Sequence, residues 1–310
     1  MRVTTSLRYT ARAVACSQRP HCQEGSTADQ PDATLIASRR FGDATVTLIS
    51  EGTFPWRLEL QVPESAWRRA MPEADASGAI ILGINVAHIR LGDASILVDP
   101  GFDDPSATPH EQFVGLVRSE GLIAGLRTIG VEPDTITHVL LTHTHDDHYA
   151  GATVMRDGGR VVRFPRARHF VGRRDWEGNP DRERPESALA LHLGTLHRVG
   201  LLTPVDGEHE VAPGVTMVAA PGESPGHCMV RVEGGAEPCS IVGDLFHHAC
   251  EVAHLDWVSP GRDAVAMRAS RERLLAEAVA RHATIVFTHA PFPAWGQIVP
   301  DGAGYRWERG

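Results

Sequence analysis

Residues 136–151 read Ile-Thr-His-Val-Leu-Leu-Thr-His-Thr-His-Asp-Asp-His-Tyr-Ala-Gly. The first seven of them are mostly apolar or β-branched, which predicts a β-strand. Directly behind this strand comes His143-x-His145-x-Asp147-His148, four side chains within six residues that can bind a metal. The two-residue spacing lets the first two histidines point the same way, while Asp147 and His148 can turn toward a neighbouring position. This stretch therefore predicts a site for two metal ions.

A purely structural histidine cluster is the alternative interpretation. The chain has 17 histidines in 310 residues, so some of them will lie together by chance. Crowded imidazoles and a carboxylate, however, need a cation or an extensive hydrogen-bond network to offset their loss of hydration. We therefore interpret the cluster as a metal site.

The composition is that of an ordinary globular protein, with 42% hydrophobic and 22% charged residues. A formal net charge of −9 disfavours nucleic acids and anionic membrane surfaces as partners. No apolar stretch approaches the roughly 20 residues that a membrane-spanning helix needs. All 30 basic residues are arginine, which excludes enzymes that depend on a Schiff-base lysine or on the lysine of a P-loop.

The cysteines give an expectation about the cellular compartment. Their number is odd and they are scattered along the chain, at Cys16, Cys22, Cys228, Cys239 and Cys250. This spacing does not favour a disulfide framework, so we expect a reducing compartment and a cytoplasmic protein.

The pattern of apolar residues predicts a tail and one layered α/β domain. Residues 1–40 show no clear period and predict a poorly ordered tail, and residues 41–310 predict a single domain. A polar stretch at 172–185 predicts a surface excursion near the metal loop. Strands are expected at 44–50, 80–98 with a turn at Gly92-Asp93, 136–142, 215–220, 229–233, 240–242 and 283–287, and helices at 110–128 and 263–282.

Three further segments place a residue that can bind a metal after a strand-like run. Pro221-Gly-Glu-Ser-Pro-Gly-His227 ends in a histidine, and Ser240-Ile-Val-Gly-Asp244 ends in an aspartate. Ile285-Val-Phe-Thr-His289 ends in another histidine. The glycine before Asp244 allows the backbone to approach its neighbours closely.

Together with the histidine cluster, these segments resemble, in order and in sequence, the metallo-β-lactamase fold hydrolases from about residue 41 to the end. The resemblance implies an αββα sandwich and two divalent metal ions, most simply zinc, with manganese and iron as alternatives. It implies that His143, His145 and His227 hold one metal, and that Asp147, His148 and His289 hold the second, with Asp244 as the bridge. Asp99, in Asp99-Pro-Gly, is similar to an early family element that supports the site.

Within this family, the chain is most similar to the group that contains methyl parathion hydrolase and its lactonase relatives. The similarity lies in His289-Ala-Pro-Phe-Pro and in the spacing Gly-Asp-x-x-His247. Two positions depart from family patterns. His247 stands where acylhomoserine lactonases have tyrosine, and Glu223 stands where the family commonly has histidine.

The charges of such a site predict hydrolysis. Two cations, the carboxylates of Asp147 and Asp244 and a bridging hydroxide leave a net charge of about +1, which stabilises oxyanions. Metal binding lowers the pKa of water toward roughly 7, so a hydroxide can attack an ester, lactone or phosphotriester without a nucleophilic side chain. We expect Asp147 to orient this hydroxide. His247 is a candidate for protonating the leaving group, with a supporting or surface role as the alternative.

The expected partner is a small-molecule substrate, and homodimer formation stays open. Two other functions are also open. One is a mononuclear iron oxidoreductase of the persulfide dioxygenase type on the same fold, which the full ligand set disfavours. The other is a non-catalytic metal-binding signal-response protein, which has no need for an open site that binds water.

Overall fold

The computed structural model describes residues 35–102 and 113–310, and in this part of the chain the strands form two large sheets and one small hairpin. The first ten strands are β1 Ile36–Phe41, β2 Ala44–Trp56, β3 Ile80–Leu91, β4 Ala94–Val98, β5 Val117–Arg118, β6 His138–Leu141, β7 Thr153–Arg156, β8 Gly159–Val162, β9 Arg168–Gly172 and β10 Leu202–Val205. The others are β11 Glu208–Ala212, β12 Val215–Ala219, β13 Cys228–Val232, β14 Cys239–Ile241, β15 Thr284–Val286, β16 Trp295–Asp301 and β17 Gly304–Arg309.

The first sheet has the order β1-β2-β3-β4-β6-β9-β10, with β5 paired to β2. Its first four strands are antiparallel, whereas β4, β6, β9 and β10 run parallel. The second sheet runs from β11 to β17 in chain order, and β14 and β15 are its parallel pair. Strand β6, which leads into the histidine cluster, is thus an inner strand of the first sheet.

The helices lie outside the two sheets and in the loops at the ends of the strands. They are α1 Glu64–Ala70, α2 Leu122–Thr128, α3 Asp146–Tyr149, α4 Arg173–Glu177, α5 Ala188–Arg198, α6 Cys250–Ala253 and α7 Ala264–Arg281. Leu140 of β6 packs in the apolar core that the two sheets share, whereas Val139 and Leu141 pack with residues of α2 and α5. This alternation is expected for a strand buried on both faces. Because α7 packs against the second sheet, the predicted αββα sandwich is confirmed.

The long helix near the carboxyl end agrees closely with the sequence prediction. The side chain of Asp263 accepts hydrogen bonds from the backbone N–H groups of Val265 and Ala266, which caps the start of α7. The helix ends at His282, whose φ is +51°. Among the described residues, no helix is both long and apolar enough to cross a membrane.

The helix predicted at 110–128 is wrong over most of its described part. The helix begins only at Leu122, and residues 117 and 118 form β5. Gly121 has φ +88° just before the helix, and the buried carboxylate of Glu51 accepts the N–H of Leu122 at 3.1 Å. These two features fix the start of the helix, whereas the apolar spacing alone suggested a longer one. Residues 110–112 lie outside the described part of the chain.

Two boundaries also differ from the prediction. Strand β1 pairs with β2 from Ile36, so residues 36–40 of the predicted tail belong to the first sheet, and residues 1–34 lie outside the described residues. The hairpin of β16 and β17 follows the strand that we expected to be the last. This hairpin was missed because its apolar residues are few and most of its residues are partly exposed.

A buried arginine ties α7 to the loop that follows β14. Arg271 is 0% exposed and donates hydrogen bonds to the carbonyl oxygens of Leu245, Leu255 and Trp257. Its Nη2 also donates to Glu251 Oε1 at 2.6 Å. Burial acts to raise the pKa of Glu251, but the guanidinium of Arg271 outweighs it and lowers this pKa. Arg271 and Glu251 are therefore both charged, and Arg271 donates hydrogen bonds to Glu251 and to the three carbonyl oxygens.

Replacing Arg271 by methionine should lower the free energy of unfolding by about 3–5 kcal/mol, because Glu251 would keep a buried charge without its partner. Equilibrium urea unfolding monitored by circular dichroism measures this change. Arg268→Met on the same helix is the matched control, since Arg268 is exposed and pairs with Glu272 at the surface. Equal stabilities of the two variants would contradict the structural role of Arg271.

Candidate metal centre

The predicted metal-binding residues lie in loops at the ends of neighbouring strands. The loop after β6 carries the histidine cluster, and the loop between β12 and β13 carries His227. In the second sheet, Asp244 follows β14 and His289 follows β15. Because β14 and β15 are parallel, their carboxyl ends lie side by side. The backbone N–H of Cys228 donates to the carbonyl of Thr142 at 2.7 Å, which joins the loops of the two sheets.

One group of ligand atoms comes from His143, His145, Glu223 and Asp244, and these atoms all lie within 4.8 Å of one another. His143 Nε2 lies 2.8 Å from His145 Nδ1 and 3.5 Å from Asp244 Oδ2. His145 Nδ1 lies 3.5 Å from Glu223 Oε1. The side chain of His145 is 37% exposed, whereas the other three side chains are buried. We call this group the first cluster.

A second cluster consists of Asp147, His148 and His289, whose ligand atoms also lie within 4.8 Å of one another. Asp147 Oδ2 lies 3.5 Å from His289 Nε2 and 3.7 Å from His148 Nε2. Asp244 Oδ1 lies 3.2 Å from each of the same two nitrogens. Asp244 therefore directs one oxygen toward each cluster, which is the position that a bridging ligand requires.

His227 lies beside the first cluster and is not one of the four residues that form it. Its ring centroid is 5.3 Å from that of His143. Its Nδ1 lies 3.0 Å from the carbonyl oxygen of Ala220, and its Nε2 is buried without a hydrogen-bond partner. His227 therefore stays a candidate ligand beside this cluster, and Glu223 joins the ligands that the resemblance implied.

Hydrogen bonds to Nδ1 orient four of the histidine rings. Each of these rings uses Nδ1 for an oxygen outside the clusters and is left with Nε2 for a ligand, as is typical of metal-binding histidines. The pairs are His143 with Thr142 Oγ1 at 3.0 Å, His148 with Asp99 Oδ2 at 2.9 Å, His227 with the Ala220 carbonyl at 3.0 Å and His289 with the Gly83 carbonyl at 2.9 Å.

Asp99 supports the site from outside the two clusters. Its carboxylate accepts hydrogen bonds from the N–H and the hydroxyl of Thr142, both at 2.7 Å, and from His148 Nδ1 at 2.9 Å. The residue has φ +51°, a strained conformation for a residue other than glycine. The predicted supporting role of Asp99 agrees with this geometry.

The glycine before Asp244 allows the backbone to lie close to Thr142 and His227, as we expected from the sequence. Gly243 has φ +53°, and a Cβ atom at this position would lie 2.7 Å from Thr142 Oγ1 and 2.9 Å from His227 Nε2. A larger residue would therefore displace a ligand histidine as well as strain the backbone.

The donor atoms fit divalent cations. His148 Nε2, His227 Nε2 and Asp244 Oδ1 are buried without a hydrogen-bond partner, although buried polar atoms are normally paired. Burial lowers the pKa of His227 to about 4, so its ring is neutral and can act as a ligand. Imidazole nitrogens and carboxylate oxygens together suit zinc and similar metals.

In the absence of a cation, the surroundings of His148 in the second cluster favour its protonated form. Its burial acts to lower its pKa, but the carboxylates of Asp244, Asp147 and Asp99 outweigh this effect and raise the pKa well above the usual value. A cation bound beside Nε2 would compete with this proton, so metal binding at the second cluster is coupled to pH.

His247, the second predicted catalytic residue, also lies at the centre of the site. Its Nε2 is 3.3 Å from Asp244 Oδ2, and its ring stacks on that of His289 with an interplanar angle of 6°. Despite its burial, the carboxylate of Asp244 raises the pKa of His247 to about 9. Glu251 Oε2 accepts the backbone N–H of His247 at 2.6 Å, which holds the residue in place.

Asp175, which was not among the predicted site residues, binds the loop that carries His227. It lies in α4, within the polar stretch 172–185 that we expected to be a surface excursion, and it is 2% exposed. Its carboxylate accepts hydrogen bonds from Ser224 Oγ at 2.6 Å and from the N–H of Gly226 at 2.5 Å. Polar composition alone carried no signal that distinguishes this buried residue from its exposed neighbours.

The segment from Gly222 to Gly226 also has the Gly-x-Ser-x-Gly spacing of serine hydrolases. Here the serine does not form a nucleophile elbow, because its loop joins two antiparallel strands instead of a strand and a helix. The hydroxyl of Ser224 is donated to Asp175. The segment therefore serves to position His227.

Two comparisons with known sequences agree with this architecture. The family model described as "Metallo-beta-lactamase superfamily" matches residues 80–289. An N-acyl homoserine lactonase, AiiA, of Bacillus thuringiensis subsp. kurstaki is 26% identical over 152 residues, which cover 46% of this chain and 54% of the lactonase. A probable metallo-hydrolase of Mycobacterium tuberculosis is 25% identical over 190 residues, which cover 54% of this chain and 58% of that protein. The chain thus matches about half the length of these relatives.

Solved structures share the fold over most of the chain. AidC, described as a dizinc quorum-quenching lactonase, has a TM-score of 0.72 and 20% identity, and the match covers 90% of this chain and 98% of AidC. A probable metal-dependent hydrolase from Staphylococcus aureus has a TM-score of 0.73 and 21% identity, with 87% and 99% covered. The family model spans more than half of the chain, and the chain therefore belongs to the metallo-beta-lactamase superfamily.

Proposed function

We propose that the protein is a metal-dependent hydrolase that uses two divalent cations, most simply zinc, to cleave an ester, lactone or phosphotriester bond of a small molecule. The observation that carries this proposal is the position of Asp244, which directs one carboxylate oxygen to each of two ligand clusters. The names of two relatives, AiiA as a lactonase and AidC as a dizinc lactonase, support the same reaction class.

The ligand sets suit the chemistry of hydrolysis. Cations held by the first and second clusters would lower the pKa of water toward about 7 and polarise a carbonyl or phosphoryl oxygen. The protein itself contributes fixed carboxylates and imidazoles in a site that is largely shielded from solvent, where electrostatic interactions are stronger than in water.

Two side chains are placed for proton handling and orientation. The carboxylate of Asp147 is 7% exposed, and its Oδ2 faces the ring of His289, so it can accept a hydrogen bond from a water molecule and orient it. His247 holds a proton at Nε2 beside Asp244, and it can donate this proton to the leaving oxygen of a substrate.

The first test is metal content together with turnover on three substrate classes. The purified protein loaded with zinc or manganese should bind about two equivalents per chain and hydrolyse at least one of an ester, a lactone and a phosphotriester panel. A chelator should remove this activity, and added metal should restore it. A single iron per chain with oxygen consumption would contradict the proposal, as would absence of turnover with both positions filled.

Asp147→Asn should lower kcat by at least about 100-fold, the usual range for loss of a proton-handling group. Its far-ultraviolet circular dichroism should stay that of the parent protein. Asp146→Asn is the matched control, because it removes the same charge from the neighbouring residue. The side chain of Asp146 lies outside both clusters. Equal rates for the two variants would refute the role assigned to Asp147.

His247→Gln should have an effect that depends on the leaving group. A substrate with an alkoxide leaving group needs protonation, so its kcat should fall by about 100-fold, whereas a nitrophenyl ester should be affected far less. The comparison uses steady-state kinetics on one acyl group with both leaving groups. An equal loss on both substrates would assign His247 to positioning instead of proton donation.

A further inference from the structure

Glu223 is the member of the first cluster that was not among the predicted metal ligands. Its side chain is 1% exposed, and Oε1 belongs to the same group of mutually close ligand atoms as His143, His145 and Asp244. The residue lies between β12 and β13, on the loop that also carries His227. The carboxylate of Glu223 therefore points toward the other ligand atoms of the first cluster.

The spacing of Glu223 matches that of the other ligand atoms. Bonds of about 2.0–2.2 Å from a tetrahedral zinc to nitrogen and oxygen place neighbouring ligand atoms roughly 3.3–3.6 Å apart. Glu223 Oε1 lies 3.5 Å from His145 Nδ1, which is the same distance as that between His143 Nε2 and Asp244 Oδ2. The oxygen therefore lies at a distance from His145 that suits a shared cation.

The local hydrogen bonds do not account for this buried oxygen. Arg262 Nε lies 2.6 Å from Glu223 Oε1, but both atoms are buried and neither forms a hydrogen bond of normal geometry. The guanidinium thus offsets part of the charge without satisfying the oxygen. A buried carboxylate requires a partner that balances its charge and also binds its oxygen, and a metal cation does both.

We propose that Glu223 is an additional ligand of the metal centre, binding the cation of the first cluster through Oε1, and that Arg262 opposes this cation electrostatically. This inference rests on the proposed function, because it assigns a ligand to the same centre. The carboxylate lowers the net charge of the first position by one and makes its donor set richer in oxygen. The added oxygen donor favours manganese relative to the same ligand set without Glu223.

The two halves of the Glu223–Arg262 pair should change metal affinity in opposite directions. Glu223→Gln removes the anionic ligand and should weaken binding of one of the two cations by about 10- to 100-fold or more, since loss of groups that only orient ligands already costs this much. Arg262→Gln removes a neighbouring positive charge and should strengthen binding of the same cation severalfold. If Glu223 served only to pair with Arg262, its loss would act on the cation through charge alone and would leave the cobalt spectrum unchanged at both equivalents.

The measurement is titration of the metal-free, full-length protein with Co²⁺ and Zn²⁺, followed by calorimetry and by the visible absorption of bound cobalt. The cobalt spectrum of Glu223→Gln should change at one equivalent and not at the other. Glu64→Gln is the matched control, because Glu64 Oε1 lies 2.6 Å from Arg68 Nε in an exposed pair, and it should leave both affinities unchanged.

The outcomes separate this inference from the proposed function. A parent protein that binds fewer than two cations would overturn both. A parent that binds two, with a Glu223→Gln variant of parental affinity and spectrum, would overturn the inference alone. Arg262→Gln keeps the carboxylate and tests the second half of the proposal, since an unchanged or weaker affinity in this variant would contradict the electrostatic role of Arg262. If Glu223→Gln does not fold, Glu223→Asp keeps the charge and shortens the side chain, and a parental cobalt spectrum in it would contradict the ligand role.

Discussion

The charge of Asp244 is the feature on which the rest of the site depends. This carboxylate is 3% exposed, and ring nitrogens of His143, His148, His289 and His247 lie within 3.5 Å of its two oxygens. Burial acts to raise its pKa, but these histidines together hold the pKa well below the usual value. A buried anion of this kind is stable only where positive charge is arranged on all its sides. The surrounding histidines are therefore placed where they stabilise the buried charge of Asp244.

Rigid strand ends keep these side chains in place. The backbone of β3 binds the loop that follows β15, because the N–H of Gly83 donates to the carbonyl of His289 at 3.0 Å and the side chain of Asn85 donates to the carbonyls of Thr288 and Ala290, both at 2.8 Å. Since β3 belongs to the first sheet and β15 to the second, and each cluster takes residues from loops of both sheets, the geometry of each cluster depends on how the two sheets pack. Buried apolar packing is stiff, so core residues far from the ligands contribute to the geometry of the site.

The sequence predicted the parts of this structure in which a local pattern and a tertiary role coincide. Strand β6, its ligand loop and helix α7 each carry an apolar period and a terminal signal, and each was found close to the predicted position. The roles of Glu223 and Asp175 depend on contacts between loops that are distant in sequence, and a local sequence pattern does not predict such contacts. The same holds for the start of α2, which the distant carboxylate of Glu51 fixes. In each of these cases a buried carboxylate acts across sequence distance on the backbone or side chains of another segment.

The two clusters differ in their exposure to solvent, and this difference makes one side of the centre more accessible than the other. In the second cluster all three side chains are buried, with His148 at 0% and His289 at 3% exposure. In the first cluster, the side chain of His145 is 37% exposed, and that of the adjacent Arg262 is 29% exposed. Solvent therefore reaches the centre from the side of the first cluster. Of the Glu223–Arg262 pair, only the guanidinium is accessible to solvent, because the side chain of Glu223 is 1% exposed. A substrate that approached from this side would therefore meet the positive charge of Arg262 before the negative charge of Glu223.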